Sequence, residues 1–233
     1  MAGQPITELP QIESWLRDEL LLAMPALTQI GQAVTAPNGS AVAQIATDAA
    51  ELRLASRRID ATLVASAGEL AKSSADGRLV LALIQLSQQG GLIANQFELI
   101  GEQLSEIDPD VLDRARTAEK LSEMTGLAAI QLQTALAAFT ARDLKLAQTL
   151  DQQDDLLDRL NRDVFEATLD LDAPRDQREL ALRHVMIARS LERIGDNAVD
   201  IGEQAAFLVT AEVQEFSDAS KPRRRGRAVT DQL

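Results

Sequence analysis

Cysteine is absent from this chain, and histidine and tryptophan occur once each. Without cysteine there is no disulfide framework, no thiolate metal site and no thiol nucleophile, and one histidine leaves little for imidazole-based zinc chemistry. Any metal is therefore expected on oxygen ligands. Glycine (12) and proline (7) are scarce among 233 residues and aromatics make up 3%, while Ala, Leu, Gln, Glu and Arg dominate. That is the composition of long helices and not of a turn-rich sandwich or barrel. With 45% apolar residues the chain has material for a core, so disorder is not the default. The opening MAGQPITELP lacks the basic-then-apolar build of a secretory signal, and the run around Leu20 to Leu27 is too short to span a bilayer. The expectation is a cytoplasmic protein.

The formal charge is −13, which argues against nucleic-acid binding because phosphate recognition needs a basic footprint. Charge is unevenly spread. Residues 221–233 (KPRRRGRAVTDQL) hold five basic residues and one acid, a net of +4, against −17 for the 220 residues before them. Two readings stand for Lys221 to Arg227: a flexible solubilising tail, or a contact with an anionic lipid surface or an acidic partner.

Prolines 37, 109, 174 and 222 divide most of the chain into long proline-free stretches. Start and stop signals within them predict six helices, near 11–35, 40–72, 76–106, 110–141, 143–171 and 175–214, with Pro25 kinking the first. In the last, Ile187, Leu191, Ile194, Ala198, Ile201, Ala205 and Leu208 recur at alternating spacings of four and three, a sustained apolar seam. In the fifth, the same register picks out Ala147, Leu150, Leu157, Val164 and Leu171, but it also places Asp154 and Asn161 on the seam. Polar groups there are costly without partners.

An internal repeat is visible at a shift of about one hundred residues. Met24, Leu27 and Ile30 match Met124, Leu127 and Ile130; Ile59-Asp60 resembles Leu157-Asp158; Ile93 and Ile100-Gly101-Glu102 echo Ile194 and Ile201-Gly202-Glu203. The expected architecture is all-α, two tandem antiparallel three-helix bundles over residues 1–108 and 109–216, followed by a basic tail at 217–233.

The second repeat carries two sets of acids. Asp154 and Asp158 lie on the fifth helix, with Asp143 at its start and Asp151 and Asp155 in a neighbouring register; Glu192, Asp196 and Asp200 lie on the sixth. Residues four apart share a helix face, so each set presents carboxylates to a common point. Facing one another, they would repel unless protons or cations neutralised them, and hard ions suit such oxygen ligands. The bland alternative is a solvated face paired with Arg159, Arg162, Arg189 or Arg193. Two features favour a site: Asp154 on the seam, and Gly195 beside Asp196, where a mid-helix glycine costs about 1 kcal/mol and marks a close approach.

Other chemistry fades. A ferritin-like di-iron site needs a Glu three residues before a ligating His, and Ala181 stands three before His184. His184 falls in line with the seam and reads as structural, not as a phosphorelay residue. Trp15 is expected to anchor the first helix, and Glu119 and Glu123 to form a solvated face. No P-loop, dinucleotide turn or nucleophile elbow appears.

Asp143-Leu-Lys-Leu-Ala, then Asp154-x-x-Leu157-Asp158-x-Leu160, then Leu191-Glu-Arg-Ile-Gly-Asp-Asn-Ala-Val-Asp-Ile-Gly-Glu203, resemble the paired helix signatures of the PhoU family, accessory regulators of phosphate-specific transport. The resemblance is close from about 124 to 209. It implies two three-helix repeats, a homodimer, and a multinuclear metal cluster on Asp154, Asp158, Glu192 and Asp196, with Asp200 a further ligand. Iron is the metal the resemblance favours, with Mn, Mg or Zn as others. It implies a cytoplasmic, non-enzymatic negative regulator of phosphate-starvation signalling. Its partners would be the ATPase of the phosphate ABC transporter and a sensor histidine kinase, which would bring it to the membrane only peripherally. The first repeat departs from the pattern: Ser56, Asp60, Gly91 and Asn95 stand where the four acids would be, so one cluster per chain is expected. Rival functions are a metal-dependent phosphate-ester hydrolase, for which no general acid is evident, and a metal-free helical adapter.

Overall fold

The computed structural model describes residues 8–108, 116–169 and 172–216, which form helices and short connections with no strand among them. The predicted tail at 217–233, the start of the fourth predicted helix and Leu171 lie outside the described residues. The helices are α1 (Leu9–Leu20), α2 (Ala23–Ala33), α3 (Gly39–Leu70), α4 (Ser74–Ser105), α5 (Arg116–Ala141), α6 (Leu144–Gln148), α7 (Leu150–Leu169) and α8 (Arg175–Thr210).

All six predicted helices are present, and two of them are broken. The first divides at Leu21 and Leu22, one turn before Pro25. Proline has no N–H to give the Leu21 carbonyl, and the chain tightens instead, Leu22 N–H bonding to Glu19 at 2.8 Å and Met24 N–H to Leu21 at 3.1 Å. The fifth divides at Thr149, whose hydroxyl and N–H both bond to the Leu146 carbonyl, at 2.7 and 3.1 Å. Local chemistry sets the starts. Asn38 accepts the Ala41 N–H at 2.8 Å and Ser73 accepts the Asp76 N–H at 3.1 Å, so Asp76 lies inside the first turn of α4 and does not open it. Asp143 caps α6 through the Lys145 and Leu146 N–H groups, which gives that acid a structural role.

The long helices run antiparallel. On α3 and α4, Arg53 meets Asn95 while Ser56 meets Ser87; on α5 and α7, Lys120 meets Asp163 while Gln131 meets Asp154. α4 and α8 pack together, as do α2 and α5, so both halves feed one continuous core. The seam of α8 is buried through Ala205, with Leu208 packed at its edge, and on α6 and α7 Ala147, Leu150, Leu157 and Val164 are buried as predicted.

The expectation that Trp15 anchors the first helix does not survive. Trp15 is 40% exposed, because α1 packs through Ile12, Leu16 and Leu20 and leaves Trp15 on the outer side. Ile130, matched to the buried Ile30, is 53% exposed. By length and composition Thr117–Ala141 is apolar enough to cross a membrane, unlike the shorter run around Leu20 to Leu27. Half of it is buried inside the protein, against the helices of the second half, as expected of the core helix of a bundle. Glu119 and Glu123 are exposed, as expected of a solvated face.

Candidate metal centre

Two glycines bring α7 and α8 together. A Cβ on Gly202 would collide with Leu150, and one on Gly195 with Leu157 and, at 2.8 Å, with Gln131 Oε1. The α7 leucines therefore lie directly on the α8 backbone. Asp154 and Asp158 flank Leu157 on one helix, and Glu192 and Asp196 flank Gly195 on the other, so that this close approach sets all four acids around one contact.

Asp154 is the buried member, only 6% exposed, and Gln131 of α5 donates to it at 3.3 Å. Burial pushes its carboxyl up to about 7, and the charges of Asp196, Asp158 and Glu192 add to the rise against the pull of the Gln131 bond. Burial also raises Glu192, with Asp196 and Asp158 pushing the same way and Arg189 opposing. Asp196 is raised by burial and by Asp158, tempered by Arg189 and Arg193. Asp200 is raised by burial and by Asp196, tempered by a hydrogen bond from Gln89 of α4. Every predicted site residue is thus coupled by charge to at least one other.

Cations already cover part of the cluster. Arg189 grips both oxygens of Glu192 at 2.5 Å, and Arg162 lies 3.6 Å from Asp158. To that extent the arginine-paired alternative is realised. Among the described residues, no Lys or Arg forms a salt bridge with Asp154, Asp196 or Asp200, and no three acids converge closely enough to enclose one ion. The donor set suits a hard cation in charge and in element, and the carboxylates would have to turn inward to take it.

Three contributors escaped the sequence reading. Glu203 adds a further rung to the α8 ladder; burial raises its carboxyl, and it accepts the Phe216 N–H at 2.8 Å. Gln131 and Gln89, both buried, hold the two ends of the cluster. A signal for Gln131 was available: it is a polar residue on the stripe of Leu121, Met124, Ala128, Leu132 and Ala135, the same anomaly that exposed Asp154. His184 is fully buried, with Thr117 Oγ1 at 2.7 Å from Nδ1; burial lowers its pKa to about 4, which fits the structural role.

The helices that build this site are the ones a family model matches, a PhoU domain over residues 121–205. Over that stretch the chain is similar to PhoU domains. Among curated relatives, a phosphate-specific transport system accessory protein PhoU homolog of Caulobacter vibrioides is 34% identical over 102 residues, 42% of this chain and 44% of that one. PhoU homolog 1 of Methanothermobacter thermautotrophicus is 29% identical over 132 residues, 54% and 56% of the two chains. The chain thus matches about half the length of these relatives. The fold likeness extends further. The phosphate transport system regulatory protein PhoU from Streptococcus pneumoniae superposes with a TM-score of 0.79 at 18% identity, covering 89% of this chain and 97% of that one. PhoU from Pseudomonas aeruginosa gives 0.71 at 20%, covering 88% and 94%. At such identities the structures speak for the fold alone.

Proposed function

We propose that this chain is a cytoplasmic regulator of phosphate uptake and phosphate-starvation signalling, without catalytic activity of its own. In this reading it works as a homodimer, coupling a phosphate ABC transporter ATPase to a sensor histidine kinase and repressing the response when phosphate is plentiful. The likeness to PhoU domains supports the accessory role. The observation that carries the mechanism is the acid cluster, in which Asp154, Asp158, Glu192 and Asp196 are held in mutual repulsion around Gly195. Such charge in a half-buried place is neutralised by protons or by a counter-charge, and hard cations suit these ligands.

In this reading Asp154, Asp158, Glu192 and Asp196 hold iron, manganese, magnesium or zinc, with Asp200 at the margin. A bound cation would offer open coordination positions to phosphate or to a partner's carboxylate. The chain's own residues do the rest. Gln131 fixes Asp154, α8 spaces its acids by single turns, and Arg189 would release Glu192 as the carboxylate turns inward.

The test is metal content per chain by elemental mass spectrometry on untagged protein, with thermal melts and binding to the transporter ATPase as second readouts. Metal is expected in the wild type and lost in Glu192→Gln/Asp196→Asn. A ligand at a hundredfold excess over its Kd stabilises the folded state by about 2.7 kcal/mol, so the melting shift on adding metal should vanish in the variant. Phosphate-dependent ATPase binding that survives neutralising Asp154, Asp158, Glu192 and Asp196 together would overturn the mechanism.

A further inference from the structure

Glu19 on α1 is a buried acid that the α7–α8 cluster does not use. It is 4% exposed, its Oε1 lies 2.6 Å from Ser56 Oγ on α3, and its Oε2 is buried without a hydrogen-bond partner. Ser56 Oγ also lies 3.0 Å from the Leu52 carbonyl. A serine hydroxyl has one proton, so it cannot donate to both acceptors. The two contacts close together only when Glu19 brings a proton of its own and donates to Ser56 Oγ, leaving the Ser56 proton for Leu52. The Ser87 hydroxyl is spent on the Ser56 carbonyl at 3.0 Å.

No cation stands in for that proton. Among the described residues no Lys or Arg forms a salt bridge with Glu19. On α3, Arg53 is held by Asn95 and Glu98, Arg57 and Arg58 are exposed, and the charge of Asp60 pushes against ionisation of Glu19. α4 carries no charged residue between Arg78 and Glu98. It presents Gly90, where a Cβ would stand 2.5 Å from Ser56 Oγ and 3.3 Å from Glu19 Oε1. On α1 itself Arg17 pairs with Asp18 at 2.7 Å. The carboxyl is packed for its neutral form.

α1 is also separable from the rest of the bundle. The break at Leu21 and Leu22 divides it from α2, which packs on α3 and α5, whereas α1 rests on α3 and α4 through Ile12, Leu16 and Leu20. Two polar ties add to that apolar contact, Glu19 to Ser56 and, on the rim, Glu13 to Arg142 at 2.8 Å. We propose that α1 is an arm latched by a proton: with Glu19 neutral the Glu19–Ser56–Leu52 chain holds it down, and loss of that proton lets it lift at the Leu21–Leu22 joint while α2 to α8 stay packed. Lifting returns the carboxylate to water, which its ionised form requires. It also bares the apolar stripe of α1 and the α3–α4 surface beneath. The latch is tight in acid and loosens as pH rises, because the lifted acid ionises near its ordinary 4.5 and the closed one at about 7.

The experiment is native-state hydrogen exchange of the full chain at pH 5 and pH 8, read by mass spectrometry and corrected for the intrinsic rate at each pH. The opening equilibrium of α1 amides is expected to rise roughly seventyfold between those pH values, the ratio that linkage sets for the two pKa values. At both, α1 should exchange ahead of the centres of α3 and α4, as a separate opening unit. Glu19→Gln, whose amide donates to Ser56 in place of the acid proton, should make α1 opening indifferent to pH. Ser56→Ala should raise α1 opening at pH 5 by at least about fivefold, since the acid proton loses its acceptor. A thermal melt at pH 5 checks that both variants fold. A flat α1 opening between pH 5 and pH 8, the same rise in Glu19→Gln, no effect of Ser56→Ala, or one protection factor shared by α1, α3 and α4 would overturn the proposal. None of these results bears on metal content or phosphate response, so the two readings fail separately.

Discussion

The α7–α8 face and the α3–α4 face are built on the same plan and neutralised in opposite ways. On α7 and α8, five acids meet two arginines within salt-bridge distance, and three of the acids have no such partner among the described residues. On α3 and α4, Ser56, Asp60, Gly91 and Asn95 stand in the corresponding places, and a cation is supplied from within. Arg53 donates to Asn95 at 2.6 Å and pairs with Glu98 at 2.6 Å. A buried carboxyl beside Ser56 comes from a third helix: Glu19 of α1, 4% exposed, is bonded to the Ser56 hydroxyl at 2.6 Å. One face has an arginine of its own on α3, and three acids of the other have no salt-bridge partner among the described residues. The proposed cation site in the second half rests on that difference.

The largest effect expected from breaking this comparison is at Glu19. Burial pushes its carboxyl up to about 7, helped by Asp60 and resisted by the Ser56 hydrogen bond. A folded-state pKa raised above the unfolded value means that the folded chain holds the extra proton. Stability is then full below about pH 4.5 and falls as pH rises toward about 7. The loss is about 3 kcal/mol, since each tenfold difference in proton affinity between the folded and unfolded chain is worth about 1.36 kcal/mol. Glu19→Gln should remove its share of that slope, leaving the share that the equally raised Asp154 contributes, and should raise stability at pH 8, as read by urea denaturation across pH. Added metal should leave the Glu19 contribution unchanged, since Glu19 lies outside the α7–α8 cluster. A slope unchanged in Glu19→Gln would show that Glu19 does not hold a buried proton.

A second effect separates the glycines. Gly195→Ala would push a methyl into buried Leu157 and Gln131, and overpacking of that kind costs roughly 1–3 kcal/mol. Gly126, on α5, has open space around its Cβ position. Gly126→Ala should therefore stabilise the chain by about 0.5–1 kcal/mol through helix propensity alone. Opposite signs in the two denaturation midpoints would confirm that Gly195 is kept for the close approach that gathers the acids. Equal signs would remove that role.

Much of this was legible in the sequence because period and punctuation survive into the fold. The seven-residue α8 seam, the Asp143 cap and the acids four apart needed only helix geometry. What stayed hidden depends on which helix packs against which. Nothing near Asp154 in sequence points to Gln131, twenty-three residues away on another helix. Nothing in the sequence separates Glu19 from its neighbour Asp18, and only the packing of α1 against α3 and α4 buries it. Trp15 misled for the same reason. Its size suggested an anchor, whereas the apolar stripe of α1 runs through Ile12, Leu16 and Leu20 and leaves it outside.

The smallest expected effect is the most discriminating. Arg53 and Glu98 are partly exposed, so Arg53→Gln should cost only about 0.2–1 kcal/mol at low salt and less at high salt. On stability alone the substitution is nearly silent. Its value lies in combination with Gly91→Glu and Asn95→Asp, which restore acids to α4 opposite Asp60 while withdrawing the resident cation. If the first half lacks a metal because its charge is balanced from within, the triple variant should gain a second metal-dependent melting shift, whereas Gly91→Glu/Asn95→Asp with Arg53 intact should not. A gain that needs no change at Arg53 would show that missing acids alone, and not the internal arginine, keep cations off that face.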